Sequence, residues 1–495
     1  MKFGSGMAGL PRMPPGAGQP VGGERYDVYA SAPPGRACLH PPTKRRVHSS
    51  QLTISLSCEP LYAGGARRHS LQTESRFTRK EEFVKTLMLG AGAVGTVSAL
   101  KFVQEAMLEK LVIADAVSAR ASLLADRLHD PRVSAVVLDA GDRAAVARTI
   151  RETGSTIVLN AALPVTNIEV MRACLEAGCH YIDLASGGTD ADGVPKLEDQ
   201  FALDAEFRAA GRLALLGMGA DPGTTNVYAA YAAKHLLDAI TEIRVRDGDN
   251  SVCQGHDGFV AAFSPWVFID ECLCKAVSWR DGRYHLEEPL TGFEPFDFPE
   301  LGILNCYYVD HEESKTLPRF FPQARTVDFK LCMDDVTVET LRVMKRLGLS
   351  GKNRVRVGDV SIAPRDLVVS LLPQPKDLAG RMRGKTCVGV LVKGVKNGEP
   401  RSYYIYNVSD HETVYAELGV QATAYQTGIP PVIAARLIHQ GVWRGTGVMS
   451  PEQLDPDPFL EHMAREGMAW KIRDDSTRAG IPRVRPLSGR ETVAA

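Results

Sequence analysis

The chemically most informative residues are three glycines in the segment Gly90-Ala91-Gly92-Ala93-Val94-Gly95. This G-x-G-x-x-G spacing lies between an apolar run and a helical pattern, which is the setting of a dinucleotide-binding turn. Gly90 permits the tight turn, Gly92 lets the backbone approach a pyrophosphate, and Gly95 allows close packing of helix on strand. Ala93 and Val94 open the helix, whose free N–H groups attract phosphate oxygens. The segment therefore predicts a nicotinamide dinucleotide site.

An acidic residue follows the glycines at the expected distance. Asp115 ends the second predicted strand about 20 residues later, where a carboxylate accepts hydrogen bonds from the ribose hydroxyls. A carboxylate repels a 2′-phosphate, so the pattern favours NAD over NADP, and Arg120 keeps NADP possible. A glycine-rich turn of another α/β protein is the alternative for the motif alone. The strand, helix, second strand and terminal acid together favour the nucleotide.

Further cofactor contacts are predicted at the ends of the later strands, because ligands of open α/β sheets bind outside the carboxyl ends of the strands. Asp139 follows the third strand and is a candidate to contact the adenine. The small residues Ala161 and Ala162, with Leu163, follow the fourth strand and would let the cofactor cross the sheet edge. Asp183 ends the fifth strand.

The elements that position these residues alternate between strands and helices from Val84 onward, which predicts βαβ units and a parallel sheet. Beyond Ile240 the pattern changes to antiparallel-looking strands with longer loops. The predicted fold class is α/β, a doubly wound Rossmann sheet with an inserted α+β substrate and dimerisation domain. The predicted divisions are a disordered basic tail (1–82), the Rossmann domain (83–240), the α+β domain (241–420), a helical return to the Rossmann domain (421–475) and a disordered tail (476–495).

The first 82 residues are rich in Gly, Pro, Arg and Ser and poor in acids. Such a segment buries too little apolar surface to offset its ordering entropy, which favours a disordered tail or an upstream start codon. Its composition is also typical of a mitochondrial transit peptide, although repeated Pro and Gly would break the amphipathic helix. A nucleic-acid-binding tail is the third interpretation.

The bulk composition narrows the class of partner. The 58 basic and 59 acidic side chains nearly cancel, which argues against nucleic acid or an anionic membrane as the main partner and favours a small molecule. The ten cysteines are scattered, as expected of reduced thiols in the cytoplasm. No apolar run approaches the roughly 20 residues of a membrane span. No residues have metal-ligand spacing, so no metal site is predicted.

From about Val84 to Ile472 the chain resembles the saccharopine dehydrogenase family, in particular its glutamate-forming saccharopine reductase and lysine 6-dehydrogenase-like branch. The resemblance rests on the following segments: 87–94, Asn160-Ala161-Ala162-Leu163-Pro164, 178–184, Gly217-Met218-Gly219-Ala220-Asp221-Pro222-Gly223, Thr316-Leu317-Pro318-Arg319 and Ala424-Tyr425-Gln426-Thr427-Gly428. It implies a homodimer and reversible hydride transfer, with a nicotinamide cofactor, at a carbon bonded to nitrogen in an amino acid or amino-acid adduct. Family members act on saccharopine, lysine or carboxylated polyamines, and the motifs do not choose among them.

Three residues are candidates for the proton chemistry of the amine. Asp204 lies where the family has an acid near the nicotinamide, with a solvated helix carboxylate as the alternative. Asp221 closes a strand at the cofactor edge, with a helix N-cap as the alternative. His256, with Asp257 beside it, lies in a glycine-flanked loop that is either a shaped site or an exposed turn.

Arg319 and Arg325 are candidates to hold a substrate carboxylate, because a guanidinium binds one in bidentate fashion, and each has a surface ion pair as its alternative. Three functions remain open. Convergence of both arginines and His256 on the nicotinamide would favour an amino-acid dehydrogenase, and their dispersal a non-catalytic NAD-binding scaffold. An acidic substrate pocket would favour a polyamine-pathway synthase or reductase of the carboxynorspermidine or homospermidine type.

Overall fold

The computed structural model describes residues 84–187, 196–256 and 258–477. The predicted disordered tail 1–82, nearly all of the predicted tail 476–495, and Asp257 lie outside the described residues, so the predictions made for them stay predictions.

The first half of the described chain builds the predicted Rossmann sheet. Its strands are β1 (Val84–Leu89), β2 (Leu108–Asp115), β3 (Val133–Val137), β4 (Ile157–Asn160), β5 (His180–Asp183) and β6 (Leu213–Leu215). Its helices are α1 (Ala93–Phe102), α2 (Ser118–Leu128), α3 (Arg143–Thr153), α4 (Asn167–Ala177), α5 (Leu197–Phe201), α6 (Asp204–Ala209) and α7 (Thr224–Tyr231), which continues as a π-helical turn (Ala232–Leu236).

The second half builds a mixed sheet, as the change of texture after Ile240 predicted. Its strands in this half are β7 (Ala239–Asp249), β9 (Ala276–Arg280), β10 (Arg283–Glu287), β11 (Glu294–Phe298), β12 (Gly302–Tyr308), β13 (Thr326–Cys332), β17 (Lys385–Lys396) and β18 (Glu399–Asp410). Two small separate sheets are formed by β8 (Val252–Cys253) with β16 (Met382–Arg383) and by β14 (Val355–Val357) with β15 (Val360–Ile362). The helices between them are α8 (Pro265–Leu273), α9 (Glu313–Phe320), α10 (Asp335–Arg346) and α11 (Pro364–Leu371).

The chain then returns to the first domain. The elements of this return are α12 (His411–Leu418), α13 (Ala422–Gly428), α14 (Pro430–His439), β19 (Gly447–Met449), α15 (Pro456–Arg465) and β20 (Trp470–Asp474). Helix α13 packs on α1, where the Gly428 carbonyl accepts a hydrogen bond from the Ser98 hydroxyl. The sequence pattern predicted a helical return. The structure adds two strands to it, because β19 joins the first sheet and β20 joins the second.

The first sheet has the order β19-β6-β5-β4-β1-β2-β3, and all its described pairs are parallel. The chain order reverses between β1 and β4, which is the topological switch point where open α/β sheets bind ligands. In the second sheet the path is β10-β9-β13-β7-β17-β18-β20, with β12 and β11 added at β13. Helix α7, which follows β6 in the first sheet, packs on β17 and α9 of the second domain.

No helix in the described residues is long and apolar enough to cross a bilayer.

Candidate active site

The glycine turn has the geometry that a dinucleotide requires. Gly90 has φ +97°, and a Cβ placed there would lie 2.5 Å from the Ala161 carbonyl oxygen. A Cβ on Gly95 would lie 2.1 Å from the Gly90 carbonyl oxygen, so only glycine fits at either position. At Gly92 a Cβ would meet nothing within 4 Å. The open side of the turn therefore faces the space that a pyrophosphate would occupy.

Asp115 ties the glycine turn to the end of β2. Its carboxylate accepts hydrogen bonds from the backbone N–H of Ala91, at 2.9 Å, and of Val117, at 2.8 Å. Helix α1 begins directly after the turn at Ala93 and Val94 with no acidic residue in its first turn, so its positive end is not neutralised. A carboxylate, free amides and an open glycine at one point fit the ribose and pyrophosphate of a nicotinamide dinucleotide.

The other predicted cofactor residues follow the neighbouring strands. Asp139 is exposed beyond β3, where it accepts a hydrogen bond from the Gly141 N–H at 2.8 Å. Ala161, Ala162 and Leu163 follow β4, and the Gly90 turn rests against the first of them. These four residues lie at the carboxyl edge of the sheet as predicted, and their contact with the cofactor stays a prediction.

Asp183 also ends its strand at this edge, but its side chain is 1% exposed. It accepts hydrogen bonds from the Gly217 N–H at 2.6 Å, the Tyr181 hydroxyl at 2.9 Å and the Gln200 amide at 2.7 Å. These donors come from the loop after β6, from β5 and from α5. The arrangement indicates that Asp183 fixes the loops around the site rather than reaching a ligand.

The loop after β6 brings Asp221 close to Asp247 of β7. Each carboxyl group affects the ionisation of the other, so the two form a pair. Burial, followed by the nearby Asp249 carboxylate, raises the pKa of Asp247 to about 7. Burial and Asp247 raise the pKa of Asp221 well above its usual range. Asp221 is thus part of a carboxyl pair between the two domains.

A buried histidine lies beside this pair, just before α9. The His311 ring stacks on Phe329, with centroids 3.8 Å apart and planes 6° apart, and its Nδ1 lies 2.5 Å from Glu313 Oε2. Although burial favours the neutral ring, Glu313 and the other carboxylates raise the pKa of His311 well above its ordinary value. Because electrostatic interactions link His311 to Asp221 and Asp247 as well, it occupies the centre of the group.

Two glutamates join His311 to the Rossmann domain. Glu312 Oε1 accepts hydrogen bonds from the Ser186 N–H, at 2.6 Å, and the Ser186 hydroxyl, at 2.9 Å. Glu313 Oε1 accepts one from the Thr225 hydroxyl of α7 at 2.7 Å. Ser186 follows β5, so both contacts lie at the carboxyl edge of the first sheet.

Carboxyl groups outnumber basic side chains in this region, and burial raises the pKa of several of them. Burial raises the pKa of Glu271 to about 8, and Asp310 pairs with Lys315 Nζ at 2.9 Å, both side chains being buried. We call the following residues the acidic cluster: Asp221, Asp247, Glu271, Asp310, Glu312 and Glu313. His311 and Lys315 are the basic side chains that lie among these six carboxyl groups. A cationic group is the complementary ligand.

A divalent metal is the other cation to consider, since ligand atoms of His311, Glu312 and Glu313 lie within 4.8 Å of one another. Two ligands bound at about 2.1 Å to one ion at a tetrahedral or octahedral angle lie roughly 3 Å apart or more. The 2.5 Å contact of His311 with Glu313 is a direct hydrogen bond instead. The present donor set therefore fits an ammonium group better than a metal.

Family models match both halves of the chain. Residues 86–215 match the saccharopine dehydrogenase NADP binding domain, and residues 219–468 match the saccharopine dehydrogenase C-terminal domain. The chain belongs to the saccharopine dehydrogenase family. As a member it is an oxidoreductase that binds a nicotinamide dinucleotide, NAD or NADP, in agreement with the prediction from the glycine turn.

Two named relatives are enzymes, and the alignments cover nearly all of each. Carboxyaminopropylagmatine dehydrogenase of Synechocystis sp. is 33% identical over 390 residues, covering 78% of this chain and 96% of the relative. Carboxynorspermidine synthase of Vibrio cholerae is 33% identical over 407 residues, with the same coverage of each chain. Saccharopine dehydrogenase (L-Glu forming) from Saccharomyces cerevisiae has the same fold, with a TM-score of 0.59, 16% identity and coverage of 79% and 99% of the two chains.

Asp204, predicted to act near the nicotinamide, is engaged elsewhere in the structure. Its carboxylate accepts a hydrogen bond from the Val448 N–H at 2.8 Å and pairs with Arg208 at 2.7 Å. Val448 lies in β19, the edge strand of the first sheet. The described contacts do not bring Asp204 to the acidic cluster, and its role stays a prediction.

The arginines predicted for the substrate do not converge either. Arg325 precedes β13 and pairs with Asp281 at 3.2 Å, both side chains being exposed. Since residues 326–331 of β13 run parallel to residues 242–247 of β7, Arg325 lies about 20 Å from Asp247, at the other end of the strands. The structure therefore keeps Arg325 away from the acidic cluster, and its role stays a prediction. Arg319 pairs with Glu198 and stacks on Phe201 at 4.4 Å, and its role stays a prediction.

His256 is half-buried in the loop after β8, where its Nε2 lies 3.3 Å from the Phe259 carbonyl oxygen. The described contacts do not bring it to the acidic cluster, and its role also stays a prediction. His311, Glu312 and Glu313 were not among the candidates predicted from the sequence. The run of four titratable residues Asp310-His311-Glu312-Glu313, just before Thr316-Leu317-Pro318-Arg319, was the signal that could have found them.

Proposed function

We propose that this protein is an NAD(P)-dependent dehydrogenase or reductase that makes or oxidises the carbon–nitrogen bond of a carboxylated polyamine. NAD(P)H, when bound, supplies the hydride that reduces a C=N bond, and NAD(P)+ accepts it in the reverse direction. In the reductive direction the nitrogen gains a proton and the product is a secondary amine. A primary amine and an aldehyde supply the imine by losing water.

The observation that carries this proposal is the acidic cluster at the carboxyl edge of the Rossmann sheet. A polyamine is a chain of ammonium groups, and carboxyl groups in surroundings of low dielectric attract such groups when they are ionised. The names of the two polyamine-related relatives support the same substrate class. Saccharopine carries several carboxylates and would need cations, whereas Arg325 points elsewhere and Arg319 is already paired.

The residues of the cluster have separable tasks. The carboxyl pair of Asp221 and Asp247 holds the substrate ammonium and shares its remaining proton. His311 is oriented by Glu313 and exchanges a proton with the reacting nitrogen. The surrounding acids raise its pKa, so the ring can carry the proton. Burial of these groups excludes water from the imine.

Three finer proposals accompany the main one. NAD is the preferred form of the cofactor, because Asp115 would repel a 2′-phosphate. The protein is a homodimer, which light scattering on the purified protein tests. Its compartment is the cytoplasm, which fractionation of the cells tests.

The function is tested by NADH and NADPH oxidation with 2-amino-4-oxobutanoate as the aldehyde and agmatine, 1,3-diaminopropane or putrescine as the amine. Lysine with 2-oxoglutarate or with 2-aminoadipate semialdehyde, and saccharopine with NAD(P)+, complete the panel. We expect turnover with a diamine and none with lysine or saccharopine. Turnover confined to lysine or saccharopine would refute the polyamine proposal, and cofactor binding without any turnover would favour a scaffold.

A variant and its control link turnover to the cluster. Glu313→Gln keeps the side-chain volume but removes the partner of His311 and one carboxylate, so kcat/KM for the amine should fall by about 100-fold or more. Glu339→Gln makes the same change on the exposed face of α10, where Glu339 pairs only with Arg346 on the surface, and should leave kcat/KM unchanged. Equal effects of both variants would contradict the assignment.

A further inference from the structure

Among the buried hydrogen-bond donors that lack a partner in the described residues, two lie at the end of β7 next to the acidic cluster. They are His411 Nε2, at the start of α12, and Gln426 Nε2, in α13. Each side chain is 1% exposed, and within the described part of the chain neither nitrogen has a hydrogen-bond acceptor. Leaving such a donor unsatisfied costs about 1–3 kcal/mol, so a missing acceptor is indicated.

The protonation of His411 follows from its other ring nitrogen. The Ala422 N–H donates to His411 Nδ1 at 3.2 Å, so Nδ1 is an acceptor and the ring proton is on Nε2. Nε2 faces Asp249 Oδ2 at 3.9 Å, which is beyond hydrogen-bond distance. His411 therefore directs an unused N–H toward the Asp249 end of β7.

The orientation of Gln426 is fixed in the same way. Its Oε1 accepts a hydrogen bond from the Thr386 hydroxyl at 3.3 Å, which leaves both N–H groups of the amide without a described acceptor. Thr386 is the register partner of Asp249 between β17 and β7. Both unused donors thus lie at the end of β7, two residues along the strand from Asp247 and on the same face of the sheet.

We propose that His411 Nε2 and Gln426 Nε2 bind the carboxylate of the substrate, while the neighbouring acidic cluster binds its amine. This rests on the proposed function, in which the substrate carries both groups. A zwitterionic head group, with an ammonium and a carboxylate on one carbon, matches acids and unused donors that lie side by side. The two donors would then select carboxylated amines over plain diamines.

Binding of two probes that differ only by the carboxylate tests this proposal. Calorimetry with the full-length protein and saturating NAD compares 2,4-diaminobutanoate with 1,3-diaminopropane. The wild-type protein should bind the carboxylated probe about 10- to 100-fold more tightly, as expected for hydrogen bonds to a charged group. Equal affinity, or tighter binding of the plain diamine, would overturn the proposal.

Gln426→Glu should abolish this preference, because it replaces the donor by a like charge. Gln426→Met removes the donor without adding charge, and provides the same test if the buried carboxylate prevents folding. Gln104→Glu, an exposed position after α1, is the matched control and should keep the wild-type preference. Weakening of both probes to the same extent in a folded Gln426 variant would assign the side chain a structural role and refute the proposal.

Since binding is measured without turnover, the result is independent of the reaction. A carboxylate preference without turnover of any amine would contradict the proposed function and leave this inference standing. Turnover of diamines without a carboxylate preference would contradict this inference and leave the proposed function standing.

Discussion

Asp115→Asn should change the choice of cofactor. The carboxylate is 8% exposed and is held by two backbone amides at 2.9 and 2.8 Å, so it cannot move away from an incoming 2′-phosphate. At roughly 4–5 Å and an effective dielectric constant of about 20, each phosphate charge is repelled by about 3–4 kcal/mol, and screening at the open edge reduces this to about 2–3 kcal/mol. That range corresponds to a preference for NAD of about 30- to 150-fold.

The asparagine keeps the shape of the side chain but removes its charge. The ratio of kcat/KM for NADPH to that for NADH should therefore rise about 30-fold or more, and kcat/KM for NADH itself should fall because a charged acceptor for the ribose hydroxyls is lost. Initial rates with both coenzymes at fixed amine and aldehyde measure the ratio. Asp126→Asn, on the exposed side of α2, is the control. A wild-type preference for NADPH, or an unchanged ratio in the Asp115 variant, would refute the reasoning.

Three further outcomes are expected. Gly95→Ala should lose both cofactor binding and several degrees of melting temperature, because its methyl group overlaps a backbone carbonyl. Gly92→Ala should weaken only cofactor binding. Equal melting curves for the two variants would contradict the close packing at Gly95. The KM for the amine should rise about tenfold or more as the pH falls from 8.5 to 6. Asp247 and Glu271, with pKa values of about 7 and 8, are ionised above these values, and below them they take up protons that compete with the ammonium group of the substrate. A KM that does not change with pH would exclude their role. Arg246→Met should lower the free energy of unfolding by about 3–5 kcal/mol in urea titrations at pH 7, since the fully buried guanidinium pairs with two carboxylates, and a loss below about 1 kcal/mol would contradict this.

The Rossmann half could be predicted because its determinants are local. The apolar run 84–89, followed at once by glycines, predicts a buried first strand, and β1 has these bounds. The helical pattern from Val94 to Leu108 predicts a longer first helix than the structure has, because α1 ends at Phe102 and Leu108 already belongs to β2. The apolar residues at the junction suit a helix and a buried strand equally well, and packing in the sheet decides between them.

The candidate site could be predicted only in its cofactor part. The acidic cluster draws on Asp221, Asp247, Glu271 and the residues around the start of α9, which are brought together by the parallel pairing of β7 with β13 and by the packing of α7 on α9. No spacing along the chain encodes that meeting. The position of Asp204 in the sequence likewise does not reveal that its helix lies beside the edge strand β19.

The last described residues contribute one strand to each sheet, β19 to the first and β20 to the second. During synthesis on the ribosome, β6 and β18 therefore each expose an edge with unpaired backbone groups until residues 447–474 have emerged. Open strand edges recruit strands from other chains. The nascent protein is consequently most prone to aggregation in the interval before its final residues are translated, and a chain that stops short of residue 447 would keep both edges open permanently.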